Sequence, residues 1–166
     1  MPTFSSFAAI KKYLENEVLK AVDDVLVTDV TQEIKNEEVK VINVVVYGAY
    51  ESPTQYERRY SDGGIADPDN MIPISYGPGT MVIANVAPFN SGYGTSNSGE
   101  GLAELIEYGN EGSSYKYDYN MLGEGTEGDY RVPRPFTKVT ANNLRANKRH
   151  IQALKNGLKS KGFEVK

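Results

Sequence analysis

His150 is the only histidine in a chain that contains no cysteine, so imidazole chemistry has one candidate and thiol chemistry has none. A Ser-His-Asp arrangement or a zinc site would have to use His150. It lies in Lys148-Arg149-His150-Ile151, a basic helical surface. No G-x-S-x-G turn supplies a nucleophile, and His150 reads as a solvent-facing helix residue. Glu104 and Glu107 are the carboxylates best spaced for acid–base work, but three residues apart on a short helix they read as its wet face. Asp62, Asp67, Asp69 and Asn70 invite a calcium reading. They lack the alternate ligand positions and closing Glu of an EF-hand loop, and Pro68 with Gly63-Gly64 explains them as turn chemistry. Gly123-Glu124-Gly125-Thr126-Glu127-Gly128 matches G-x-G-x-x-G. Its flanks, Tyr117-Asp118-Tyr119 and Asp129-Tyr130, are neither strand nor helix start, and its two acids would repel a phosphate. The expectation is no catalytic, cofactor or metal site, and no enzyme.

The elements that could position such residues are clearer. Phe7, Ile10, Leu14, Val18, Val22 and Val25 form an apolar stripe at helical spacing, with Lys11, Lys12, Glu15 and Lys20 off it. Ser5 or Ser6 can cap its start. Leu26, Val30 and Ile34 continue the stripe, and Val41 and Val45 resume it. Unbroken from Ser6 to Val46, the helix would run about 60 Å. The β-branched runs Val25 to Thr31 and Val39 to Val46 are where it could break or turn to strand; helix throughout is the favoured reading. Turn signals follow at Glu51-Ser52-Pro53, Asp62-Gly63-Gly64 and Asp67-Pro68-Asp69-Asn70. Met71 to Tyr76 and Thr80 to Ala87, joined by Gly77-Pro78-Gly79, read as a β-hairpin. Gly101 to Tyr108 is a short amphipathic turn of helix with Leu102, Leu105 and Ile106 inward. In the C-terminal segment Pro135 presets a helix whose stripe is Phe136, Thr140, Leu144, Asn147, Ile151, Leu154 and Leu158. Gly162 is its natural stop, and Lys155, Lys159 and Lys161 suit the negative end of its dipole.

The chain has 166 residues, the size of one domain. Leu, Ile, Val and Phe number 38, enough for a core but a thin one. Residues 88–130 hold 9 of the 16 glycines and only five Leu, Ile, Val or Phe residues, so they read as a flexible loop that cannot order itself alone. Met1-Pro2-Thr3 does not begin a signal peptide. The longest apolar stretch, Val41 to Val46, is interrupted by Asn43 and too short to span a bilayer. The formal charge is −4, but residues 1–130 carry 8 basic and 21 acidic side chains, and residues 131–166 carry 10 basic and one acidic. That excludes a uniformly basic nucleic-acid binder. A pole of this kind points either to a partner or to a basic helix packed beside acids of its own chain. Tyr108, Tyr115, Tyr117, Tyr119 and Tyr130 crowd the Gly-rich region, where Lys116 is the one base. Without interleaved cations they suit a protein interface better than a platform for bases.

Leu102-Ala103-Glu104-Leu105-Ile106-Glu107-Tyr108-Gly109, followed by Pro133-Arg134-Pro135-Phe136 at a helix start, resembles the tail-completion, or neck, proteins of tailed bacteriophages. Those proteins carry an A-x-x-h-E-x-G segment and then an R-P-F helix start. Tyr56-Glu57-Arg58-Arg59-Tyr60 with Gly63-Gly64, and the ending Ala153 to Lys159, are similar to members from phages of Gram-positive hosts. The resemblance implies an α+β domain without enzymatic activity that forms a ring between the head connector and the tail. It implies a virion protein assembled in the host cytoplasm, with no cofactor and no membrane contact. Its partners would be copies of itself in a six-fold or twelve-fold ring, the connector or stopper, and the tail-tube or terminator proteins. Gly109 would end the short helix, Pro135 fix the next start, and Phe136 plug that helix into the core against the N-terminal helix. Arg145, Lys148, Arg149, Lys155 and Lys159 would then face a neighbouring subunit's acids or, through phosphates, packaged DNA in the lumen; the five tyrosines would form the interface loop. Two alternatives stay open: a small nucleic-acid-binding accessory protein using the basic C-terminal helix, or another ring such as the tail terminator. The expected fold is one α+β domain over residues 1–166. Its long N-terminal helix and basic C-terminal helix pack on a small antiparallel β-sheet, with a long Gly/Tyr-rich loop at about 88–130.

Overall fold

Ser6 opens the first helix: its backbone is extended, and its hydroxyl accepts the Ala9 N–H at 3.2 Å, satisfying one of the free amides of the first turn. The computed structural model describes residues 4–49, 59–88, 101–113 and 132–165. Helix α1 (Phe7–Val25) passes into α2 (Thr31–Val45) through a π-helical turn, Leu26–Val30. The helix therefore holds through both β-branched runs, but it widens at the first. There the Leu26 carbonyl accepts the Thr31 N–H and also the Thr31 hydroxyl at 2.8 Å, and Thr28 donates to the Asp24 carbonyl at 2.9 Å. The extra residue resets the phase of the stripe. Val25 and Val30, five apart, are both buried, while Asp29, one ordinary turn after Val25, is exposed.

The acidic turn is organised by one carboxylate. Asp67 accepts the Asp69 N–H at 2.9 Å and the Gly63 N–H at 2.7 Å, and these two amides hold its carboxyl below its ordinary range. A 3₁₀ turn, Pro68–Asn70, then leads into the hairpin of β1 (Met71–Gly77) and β2 (Thr80–Asn85). Gly77 and Gly79 flank its tip with φ of 126° and 71°, a backbone that side chains disfavour. Helix α3 covers Leu102–Gly112, α4 Phe136–Asn147 and α5 Arg149–Ser160.

The C-terminal segment is two helices rather than one. Lys148 adopts φ 56°, ψ 21°; it ends α4, and its carbonyl accepts the Ile151 and Gln152 amides to begin α5. Asn142, Asn143 and Asn147 make the end of α4 a poor helix former, so the continuous stripe did not secure a continuous helix. Gly162, at φ 88°, ends α5 as expected. Its N–H donates to Lys159 and that of Phe163 to Leu158, the paired closure of a glycine C-cap.

The fold is α+β, mostly helical with a two-stranded antiparallel sheet and with the long N-terminal and C-terminal helices in place. Two compact units divide it: residues 1–33, 73–82 and 148–166, and residues 34–72 and 83–147. In the first, α5 lies against α1 and the π-helical turn, and Gly157 meets the side chains of Val25 and Asp29. The hairpin tip is tied to α1 by the Gly79 N–H, which donates to Asp23 at 2.6 Å. In the second, Val41, Ile42, Val46, Ile65, Ala66, Met71, Ala87, Leu102, Ile106 and Phe136 form one core. No helix among the described residues is long and apolar enough to cross a membrane. The Gly123–Gly128 motif and most of the 88–130 loop lie outside the described residues.

Candidate assembly interface

The two landmarks, separated by the Gly/Tyr segment in sequence, meet in the second unit. The Arg134 N–H donates to the Ile106 carbonyl at 2.8 Å. One residue on, Glu107 reaches the start of α4: Oε2 accepts the Thr137 N–H at 2.8 Å and Oε1 the Lys138 N–H at 3.2 Å. Pro135 is the cap position, since its carbonyl accepts the Val139 N–H. Proline offers no side-chain oxygen for the first-turn amides, and the Glu107 carboxylate supplies it from another helix, at the positive end of the α4 dipole. This corrects the wet-face reading of Glu107, which is buried. Glu104 on the same helix is half-buried, with its carboxylate 3.4 Å from the Ser113 hydroxyl. Helical spacing alone could not reveal the difference, because the partner amides are some thirty residues away.

Phe136 is fully buried and shares its core with Val41, Ile42 and Val46 of the N-terminal helical run. Gly109 takes φ 71°, ψ 170°. It kinks α3 rather than ending it, and the helix resumes to Gly112. Around this junction lie further buried carboxylates. Glu37 accepts from the Asn143 amide at 2.9 Å and Glu38 from the Asn85 amide at 3.1 Å. Burial pushes the Glu38 carboxyl up, the Asn85 hydrogen bond opposes this, and the Glu107 charge adds to it. Among the described residues, no group of three or more His, Asp or Glu side chains could hold a metal ion.

The basic residues expected at an interface fall in different places. Arg145 is exposed in the last turn of α4, within the second unit, while Lys148, Arg149, Lys155 and Lys159 belong to the first. Arg149 pairs with Glu33 at 3.4 Å, and Lys161 with Asp24 at 3.1 Å, so part of the charge pole is used within the chain. Lys148 and Lys159 are exposed and Lys155 is half-buried. His150 is half-buried rather than solvent-facing, because α5 starts afresh at Arg149 and turns that residue inward. Tyr108 is exposed; Tyr115, Tyr117, Tyr119 and Tyr130 lie outside the described residues.

A surface that the stripe alone did not disclose is on α1. Ala21 and Val25, beside α5, are buried, but Phe7 is 82% exposed and Leu14 56%. With Ile10, Val18 and Leu19 they line an open groove edged by Lys11 and Glu15. The signal was available in the count of partners: α5 is too short to cover five turns of α1.

A family model described as YomN matches residues 9–160. No curated protein and no solved structure matches the chain. The chain belongs to the YomN family, a phage-derived family of SPbeta prophage type.

Proposed function

From that membership, we propose that the chain is a structural virion protein that forms a ring in the neck of a tailed phage and joins the head connector to the tail. One observation carries the reading: the A-x-x-h-E-x-G segment and the R-P-F helix start form a single junction, with Glu107 capping the helix that Arg134-Pro135-Phe136 opens. A junction that needs both motifs supports treating them as parts of one fold signature rather than two short coincidences. In this reading the protein is not an enzyme and needs no cofactor, and its partners are its own copies, the connector or stopper, and the tail-tube or terminator proteins.

The test is electron microscopy of particles from a phage lacking the gene. Packed heads lying apart from finished tails are expected. Intact, normal particles would overturn the joining role. The DNA-binding alternative has one observation in its favour, since Lys148, Lys155 and Lys159 make no ion pair among the described residues. It requires steeply salt-dependent DNA binding by the purified chain, and no binding at low salt would exclude it.

A further inference from the structure

We propose that the exposed face of α1 is a self-association surface, on which a second copy of this chain docks its own α1 antiparallel about a two-fold axis level with Tyr13. The apolar residues set the register. At 100° per residue, Phe7, Ile10, Leu14 and Val18 fall on one stripe, and Lys11 and Glu15 fall together on one of its flanks. Turning a second helix end for end about Tyr13 places Ile10 between Leu14 and Val18 of the other copy. Leu14 then falls between that copy's Leu14 and Ile10, and Phe7 falls just beyond its Val18. The knobs alternate along the seam without coinciding, as interdigitating helices require.

Charge then selects the occupant. In an antiparallel pair the same flank of each helix meets across the seam. This register brings Lys11 level with Glu15 of the second copy, and by symmetry Glu15 level with its Lys11. Within one chain the two side chains stand 3.8 Å apart and are exposed, at 69% and 61%, so little holds them to each other. Both edge the apolar groove. A parallel pairing would instead put the Lys11 and Glu15 flanks of the two helices on opposite sides of the seam and leave the charges unmatched. The contact is isologous: the surface is complementary to itself. It holds whether or not the neck reading does, because it concerns the chain in solution. A helix pair of this length sits at the small end of specific interfaces, so a weak, concentration-dependent dimer is expected.

Sedimentation equilibrium of the full-length chain tests it, over about a hundredfold concentration range spanning the micromolar region. A reversible monomer–dimer equilibrium is expected, at least tenfold weaker in Leu14→Glu and in Lys11→Glu. The double variant Lys11→Glu/Glu15→Lys restores it, which a merely misfolded helix would not do; circular dichroism checks that each variant stays helical. Because the chain has no native cysteine, single cysteines report the orientation. Leu14→Cys should cross-link two copies under mild oxidation and Phe7→Cys should not. A monomer at every concentration, a dimer untouched by Leu14→Glu, or cross-linking through Phe7→Cys would each overturn the proposal.

Discussion

Glu107 and Thr137 stand thirty residues apart, yet the Glu107 carboxylate accepts the Thr137 amide at 2.8 Å inside a buried junction. The contact joins the end of one motif to the first turn of the helix opened by the other. It gives a helix that starts on proline a cap that its own sequence does not contain.

Removing that cap should cost more than an exposed one. Glu107→Ala is expected to lower stability by about 1–3 kcal/mol, from the lost cap and the buried amides left without an acceptor. Glu107→Gln keeps one acceptor oxygen and should fall between the two. Urea unfolding followed by circular dichroism reads both; equal midpoints for Ala and wild type would show that the junction contributes nothing.

Gly157 should not accept a methyl group. Alanine normally favours a helix interior over glycine by about 1 kcal/mol. Here the added carbon would be driven into Val25 and against the Asp29 carboxylate, 2.8 Å away. Overpacking of this kind costs about 1–3 kcal/mol, so Gly157→Ala should destabilise. A rise in melting temperature would contradict the close packing of α5 on α1.

Lys148 should be improved by glycine. Its left-handed backbone costs a side chain about 1–2 kcal/mol, partly offset by the greater entropy that glycine loses on folding. Lys148→Gly should therefore leave stability unchanged or raise it by up to about 1 kcal/mol. Lys148→Val, branched at Cβ, should lower it; thermal melts of the two variants decide.

The buried Glu38 makes stability depend on pH. Burial raises its folded-state pKa above the unfolded value of 4.5, so the folded chain holds its proton more tightly. Stability from this residue is then full below that value and declines as pH rises toward the folded pKa. Glu38→Gln keeps an acceptor for the Asn85 amide but removes the charge. The variant should match wild type near pH 4, be more stable at pH 7, and lose this part of the pH dependence. A pH series of urea midpoints checks the sign, and a variant less stable than wild type at pH 7 would reverse it.

Much of this architecture is legible in local pattern. The stripe from Phe7 onward, the Gly77-Pro78-Gly79 turn, Pro135 before a helix and Gly162 after one are signals whose physics acts within a few residues. They dictated the helices, the hairpin and the α+β class. Even the weak point of the long helix is written in the β-branched run beginning at Val25, though not that it would widen into a π turn instead of breaking. The break at Lys148 is the reverse case, because a regular apolar stripe runs straight across it.

What local pattern could not decide is which side of each element would be covered. Glu104 and Glu107 occupy neighbouring turns of one short helix, and only the arrival of α4 buries one as a cap while the other stays half-buried. Phe7 and Val25 belong to one stripe, and only the reach of α5 separates the exposed end from the buried end. Spacing sets the face on which a side chain lies. What meets that face depends on contacts between segments distant in sequence, thirty residues apart for Glu107 and Thr137 and 137 for Asp24 and Lys161, and those are decided by tertiary packing.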